Sequence, residues 1–227
     1  MVNFHPYCSL KDMQSYKIEH LPESLPVFPL AGALLLPSGK LPLNIFEPRY
    51  LSMVRDALKT NWLIGMIQPK HNGAKEGDQL YEVGCAGKVV SLAETEDNRF
   101  LITLSGIIRF KTKQELPPQN GYRKFQIGWE PFQADLQPAS EGGIDRENFE
   151  KVLRQYLESK NIPAKWEEIT NTPSSSLVTS LAMQCPFTVE EKQALLEAQS
   201  LIELTNLMTS LLTMAADSNA TSSTSRH

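Results

Sequence analysis

Between Leu25 and Tyr50 the apolar positions fall in two short runs, joined by a Pro37-Ser38-Gly39-Lys40 bend and followed by the polar sequence Glu47-Pro48-Arg49-Tyr50. Prolines at 26, 29, 37 and 42 rule out a long helix, because each fixes φ, lacks an N–H and pushes its predecessor out of the α region. Both runs are therefore predicted to be edge strands wrapping a barrel rim, where a missing donor is tolerated. Val27, Phe28, Leu30, Leu35, Leu43, Ile45 and Phe46 are the expected buried positions. Pro48 suits the first position of a helix, and Tyr50, Leu51, Val54 and Leu58 follow at helical spacing. Glu47 is expected to cap that helix with its carboxylate, and Arg49 to reach back to it or across to the strand carrying Gly106 and Arg109.

The run from Trp62 to Gln68 is compact and apolar, as in a buried strand, and residues 71–78 carry turn chemistry centred on Asn72-Gly73. Strand patterns then crowd together: Tyr81 to Leu92, Arg99 to Ser105, Ile107 to Thr112 and Tyr122 to Trp129. They are punctuated by a turn at Glu96-Asp97-Asn98, a bend or bulge at Gly106 and a loop over 116–121. Short strands in such close succession predict a closed or nearly closed β structure. After a Pro/Ser/Gly-rich linker over 133–144 the period changes to helical. Asp145 caps a helix lined by Phe149, Val152, Leu153, Tyr156 and Leu157; a short helix spans 176–183; capping boxes at Thr188/Glu191 and Ser200/Glu203 open two more. The expected class is α+β, mainly β in its N-terminal part. Its divisions are an arm over 1–20, a β-barrel subdomain over 21–132, a helical bundle over 145–216 and a disordered Ser/Thr-rich tail over 217–227.

Composition changes this picture little. The chain has 227 residues, 41% hydrophobic and 21% charged, as a soluble domain with an ample core does. A net charge of −4 gives no general attraction for polyanions. No apolar run approaches the roughly 20 residues that span a bilayer, so no membrane partner is expected. The N-terminal residues lack the basic and apolar stretches of a secretion signal. Three distant cysteines, Cys8, Cys85 and Cys185, fit a reducing compartment, and a cytoplasmic location is expected.

Candidate chemistry is sparse. Gly32 to Lys40 superficially suggests a phosphate loop, but six residues separate Gly32 from Gly39, Leu41 follows the lysine, and Pro42 blocks the helix that would receive the phosphate. His5 and Cys8 have no second ligand pair near them, and Cys85 and Cys185 sit among small or apolar residues. There is no Gly-x-Ser-x-Gly elbow, and Ser38/Lys40 lies in a bend with no helix behind it. No catalytic residue, metal or cofactor is expected.

Leu25-Pro-Val-Phe-Pro-Leu30, Leu36-Pro-x-Gly39, Leu41-Pro-Leu-x-Ile-Phe-Glu-Pro-Arg-Tyr50, Val83-Gly84, Gly106-x-x-Arg109-Phe110 and Glu191-Lys-Gln-x-Leu-Leu-Glu197 occur in that order. Together they resemble the N-terminal substrate-binding domain of Lon (La) proteases, from about residue 21 to about residue 214. The resemblance implies a PUA-like β pseudo-barrel followed by a small helical bundle. The ATPase module and the Ser–Lys protease domain of Lon have no counterpart here, so the chain resembles a stand-alone member. The implied role is non-enzymatic binding of unfolded or flexible polypeptide segments, as an adaptor to a protease or ATPase partner. Phe28, Phe46, Glu47, Arg49, Tyr50 and Arg109 are the expected contact residues. A second reading is RNA binding, which some PUA-like barrels perform; it rests on Arg99, Arg109, Lys111, Lys113, Arg123 and Lys124 in the strand region.

Overall fold

The computed structural model describes residues 16–70, 79–138, 140 and 142–223, with side chains to 217. Residues 1–15 of the N-terminal arm, the expected turn over 71–78, with His5 and Cys8, lie outside the described residues. The chain divides into two compact units: one runs to Pro138 and includes Phe187–Leu196, the other holds Ala139–Pro186 and the chain from Glu197 onward.

The first unit is built on six strands: β1 (Ser24–Pro29), β2 (Lys40–Ile45), β3 (Leu63–Ile67), β4 (Val83–Glu94), β5 (Phe100–Gln119) and β6 (Tyr122–Gly128). They pair in the order β2-β5-β4-β3-β1-β6, and β6 pairs with β5 as well. Five strands therefore close into a ring, with β2 attached outside it along β5. All pairs are antiparallel except β1 with β3. Leu25, Val27, Leu63, Ile67, Ile108, Phe110, Phe125, Ile127 and Trp129 fill the interior. Phe110 meets Trp129 edge-on at 6.1 Å.

The prolines occupy positions whose absent N–H would have had no strand to reach, which places only one of the two expected edge strands at an edge. Ile127 N–H donates to Glu23 O, so odd-numbered residues of β1 face β6; Leu30 N–H donates to Ile67 O, so even-numbered ones face β3. Pro26 faces β3 one residue before that pairing begins at Val27, and Pro29 faces β6 two residues after that pairing ends at Val27. Staggered pairing thus lets β1 lie inside the sheet, correcting the expectation that it is an edge. On β2, Gly106 N–H donates to Gly39 O, so Pro42 faces the open side, as an edge proline should. Of the expected loop over 116–121, residues 116–119 are strand: Pro117 and Pro118 fall in a register shift between Leu116 and Gln119. Asn120 (φ 50°) and Gly121 (φ 82°) then make the tight turn into β6.

Helix α1 (Pro48–Leu58) follows β2, and a 3-10 turn (Glu130–Leu136) follows β6. That turn, with Phe132 buried, occupies part of the stretch expected to be a linker. The second unit contains α2 (Arg146–Ser159), α3 (Trp166–Asn171), α4 (Ser174–Gln184) and α6 (Leu201–Ser223). Asp145 caps α2 by accepting from Asn148 N–H at 3.0 Å. Helix α6 packs along α2. It runs to Ser223, past the expected end at residue 216, and the Thr205, Thr209, Ser210 and Thr213 hydroxyls donate to carbonyls four residues back. Helix α5 (Val189–Glu197) groups with the sheet, although its period groups it with the bundle.

Among the described glycines, Gly106 has the closest backbone neighbour. A Cβ placed there would stand 2.0 Å from Leu36 O, while β5 takes up one extra residue at Ile107 opposite β4. Gly106→Ala should destabilise the fold by about 2–3 kcal/mol through overpacking against backbone. Gly32→Ala, with a φ of +72° but nothing within 4 Å, should cost only about 1–2 kcal/mol from its left-handed conformation. Urea denaturation followed by tryptophan fluorescence measures both; equal losses would contradict the steric account.

Candidate functional site

The start of α1 gathers four of the expected contact residues. Glu47 stands at the capping position, where its carbonyl accepts from Tyr50 and Leu51 N–H at 2.9 Å each, but its carboxylate caps nothing. That carboxylate instead accepts from Arg49 Nε at 3.0 Å and Nη2 at 2.9 Å. Glutamate is a poor cap because its longer side chain does not fold back readily onto the first turn, and the guanidinium two residues away competes for it. Arg49 also lies 4.6 Å above the Tyr50 ring, which meets Phe28 at 4.3 Å. Both rings are buried, so Phe28 and Tyr50 serve packing and are not available as contacts. Burial raises the Tyr50 phenol above its ordinary pKa, with neighbouring Arg49 opposing that shift. Of its two expected directions, Arg49 takes the one back to Glu47, with its Cβ near the Gly121 turn.

Phe46 behaves differently. It is 59% exposed, contrary to its expected burial, and the Arg99 guanidinium lies 5.8 Å from its ring centre. Register explains this: Ile45 pairs with Phe100 and both are buried, so the residue after each, Phe46 just past β2 and Leu101 on β5, is turned outward. Leu101 is 46% exposed and opposes Asn44 on that outer face. Arg99, held to Asp97 at 2.7 Å, completes the patch beside the open edge of β2. Leu101 is a residue that sequence reading missed. Its signal was present, since Phe100, Ile102 and Leu104 alternate with it and are the buried set.

Arg109 is not part of this surface. Its Nε donates to Asp135 Oδ2 at 2.9 Å, Nη2 to Oδ1 at 2.7 Å and Nη1 to Leu196 O at 3.0 Å, while its guanidinium lies 4.7 Å from the Phe132 ring centre. Both partners of this bidentate pair are buried, with side chains 10% and 7% exposed. Among the described residues, Arg109–Asp135 is thus a buried Arg–carboxylate pair, whereas the side chains of Glu47 and Arg49 are 44% and 29% exposed. Nearby, burial pushes the Cys85 thiol far above its ordinary pKa and removes it as a nucleophile. Several other cations of the strand region have acidic partners. Lys111 pairs with Glu82, Lys113 with Glu130, Arg123 with Glu115 and Arg99 with Asp97, all within 4.0 Å.

Among the described residues no three His, Cys, Asp or Glu side chains converge to hold a metal ion, and no helix is long and apolar enough to cross a membrane. A family model described as the ATP-dependent protease La (LON) substrate-binding domain matches residues 24–214. Lon protease 2 of Myxococcus xanthus is 26% identical over 205 residues, covering 86% of this chain and 24% of that protein. Lon protease of Anaeromyxobacter dehalogenans is 27% identical over 201 residues, covering 86% and 23%. The chain thus spans about a quarter of the length of the curated relatives it matches. Among solved structures, the N-terminal domain of a Mycobacterium avium complex Lon protease aligns with a TM-score of 0.58 at 15% identity, over 86% of this chain and 98% of that one. A Lon N-terminal domain protein from Xanthomonas campestris aligns at 0.57 and 21%, over 83% and 96%. At these identities the likeness is one of fold, and the fold is α+β.

Two predictions follow from these geometries. Arg109→Met and Asp135→Asn should each cost about 3–5 kcal/mol, because each strands a buried polar partner. Glu47→Ala and Arg49→Ala should each stay within about 1 kcal/mol, as part-exposed pairs do; denaturant midpoints that reverse this order would refute the assignment. The second concerns alkali. Tyr122 donates to Asp56 Oδ2 at 3.1 Å, and burial together with that carboxylate pushes its pKa up to about 12. A raised folded pKa means this contribution is complete below the ordinary value near 10 and is lost as pH climbs through about 12. Melting temperatures of the parent should therefore fall more steeply over that window than those of Tyr122→Phe.

Proposed function

This chain belongs to the ATP-dependent protease La (LON) substrate-binding domain family, and on that basis we propose that it is a non-enzymatic polypeptide-binding module. The observation that carries the reading is the outward pair Phe46 and Leu101 beside Arg99, on a sheet face where alternation would ordinarily place polar residues. Large apolar side chains that remain exposed next to a guanidinium suit the aromatic and aliphatic side chains of an unfolded or flexible segment, which a folded protein would keep inside. The half-exposed Glu47–Arg49 pair borders this patch in sequence and supplies a donor and an acceptor for a peptide backbone. Pro42 denies the open side of β2 a continuous row of donors. Recognition is accordingly by side chains on the outer face and not by addition of a further strand. In the adaptor role, the captured segment is passed to a protease or ATPase partner.

Fluorescence anisotropy against a panel of apolar and aromatic-rich peptides tests the reading. Phe46→Ser and Leu101→Ser should each weaken capture about 5- to 30-fold, as loss of an interface anchor does, while melting temperature stays at the parent value. A panel with no binders, or variants that bind like the parent, would overturn it.

A further inference from the structure

The β5–β6 hairpin turns at Asn120-Gly121, both exposed and both at positive φ, 50° and 82°. Two such residues in succession make the tight turn whose twist matches that of the flanking strands. Within the sheet unit, this tip is fastened to α1. Asn120 Nδ2 donates to Asp56 Oδ2 at 2.9 Å, and the Tyr122 hydroxyl donates to the same oxygen at 3.1 Å. Lys59 Nζ donates to Oδ1 at 3.3 Å. The bond from Asn120 is the foremost reason that the Asp56 carboxyl lies below its ordinary pKa. On the same face of α1, Arg49 Cβ would stand 3.4 Å from a Cβ placed at Gly121. The helix thus meets the turn at both of its central residues.

An asparagine followed by glycine carries a reaction of its own. Glycine has no Cβ, so its backbone nitrogen is open to approach. The Gly121 nitrogen gives up its proton to water and attacks Asn120 Cγ. An N–C bond forms, the Cγ–Nδ2 bond breaks, and the amide nitrogen takes a proton and leaves as ammonia. Water then opens the succinimide ring at either carbonyl, leaving aspartate or isoaspartate at 120. In the folded chain the amide is instead drawn to Asp56, and the side chain cannot swing onto the Gly121 nitrogen until that bond opens. The bond is exposed, so opening it requires no loss of the sheet. Once the reaction has occurred the latch cannot close again. A carboxylate has no proton to donate, and it would face Asp56 Oδ2, a like charge, where the amide donor stood.

We propose that Asn120-Gly121 is a site of spontaneous deamidation guarded by Asp56, and that its conversion releases the hairpin tip from α1. The reaction needs only water and works in one direction, so it marks the age of a molecule. The inference stands apart from peptide binding and does not depend on it.

Incubation of the purified chain in mildly alkaline buffer, followed by mass spectrometry of the tryptic peptide 114–123, reads the reaction and separates aspartate from isoaspartate. Asn72-Gly73, the other Asn-Gly pair, falls in the peptide 71–75 and is read separately. Both products should accumulate slowly at 120 in the parent and several-fold faster in Asp56→Ala. Tyr122→Phe, which removes the neighbouring bond and leaves this one, should react at the parent rate. If Asp56→Ala does not fold, Asp56→Ser takes its place. Asn120→Asp, which reproduces one product, should lower the melting temperature by about 2–4 °C, and should lower it no further in the Asp56→Ala background. A peptide unchanged in both parent and Asp56→Ala, equal rates in the two, or equal acceleration in Tyr122→Phe would overturn the proposal. So would Asn120→Asp melting with the parent.

Discussion

A guanidinium taken out of water must find its full set of acceptors inside the protein, and much of the first unit is arranged so that Arg109 does. Its β5 position points it to the end of the ring, where Asp135 supplies two oxygens, Leu196 a carbonyl and Phe132 a ring face. Each acceptor comes from a different part of the chain. To deliver the carboxylate, the residues after β6 must turn back as a 3-10 segment and not leave as a loose linker. To deliver the carbonyl, a helix some ninety positions further on must return to the sheet. A buried ion pair is weak evidence for stability in itself, since apolar residues of equal volume often do as well. Its consequence here is that one charge ties together three segments that are distant in sequence.

A second constraint is backbone crowding. The bend after Leu36 crosses β5 so closely that only glycine fits at 106, and Phe110 lies within 2.5–3.0 Å of where Cβ atoms would stand at Gly65 and Gly84. These contacts draw the strands into a tight ring and leave β2 as an outside member. Where the end of β2 pairs with the start of β5, alternation along each strand leaves Phe46 and Leu101 exposed. The exposed pair thus follows from alternation: Ile45 and Phe100 take the buried side, and their neighbours take the other.

Much was legible from the sequence, and the reason is that local chemistry dictated it. Asp145 caps α2 and Thr188 with Glu191 caps α5 as their spacing implies, because an N-terminal turn has unpaired donors whatever surrounds it. The strands, the bulge near Gly106 and the α+β class follow from period and composition in the same way. The proline of β2 is compatible with its edge position but does not dictate it, since β1 has two.

What tertiary structure alone decided are the matters of partner and side. β1 carries prolines like β2 yet lies inside the sheet, because two neighbours pair with different halves of it and each proline faces a gap. Asp135 looks like any polar linker residue until Arg109 is placed against it. Lys192 and Gln193 sit in a helix of bundle-like period and nevertheless bury toward sheet-unit carbonyls. Phe46, Glu47, Arg49 and Tyr50 are neighbours in sequence, but register turns Phe46 out while packing against Phe28 turns Tyr50 in. Periodicity along one chain states which residues share a face; which face meets solvent is set by the strands and helices that cover the other, and those lie far away in sequence.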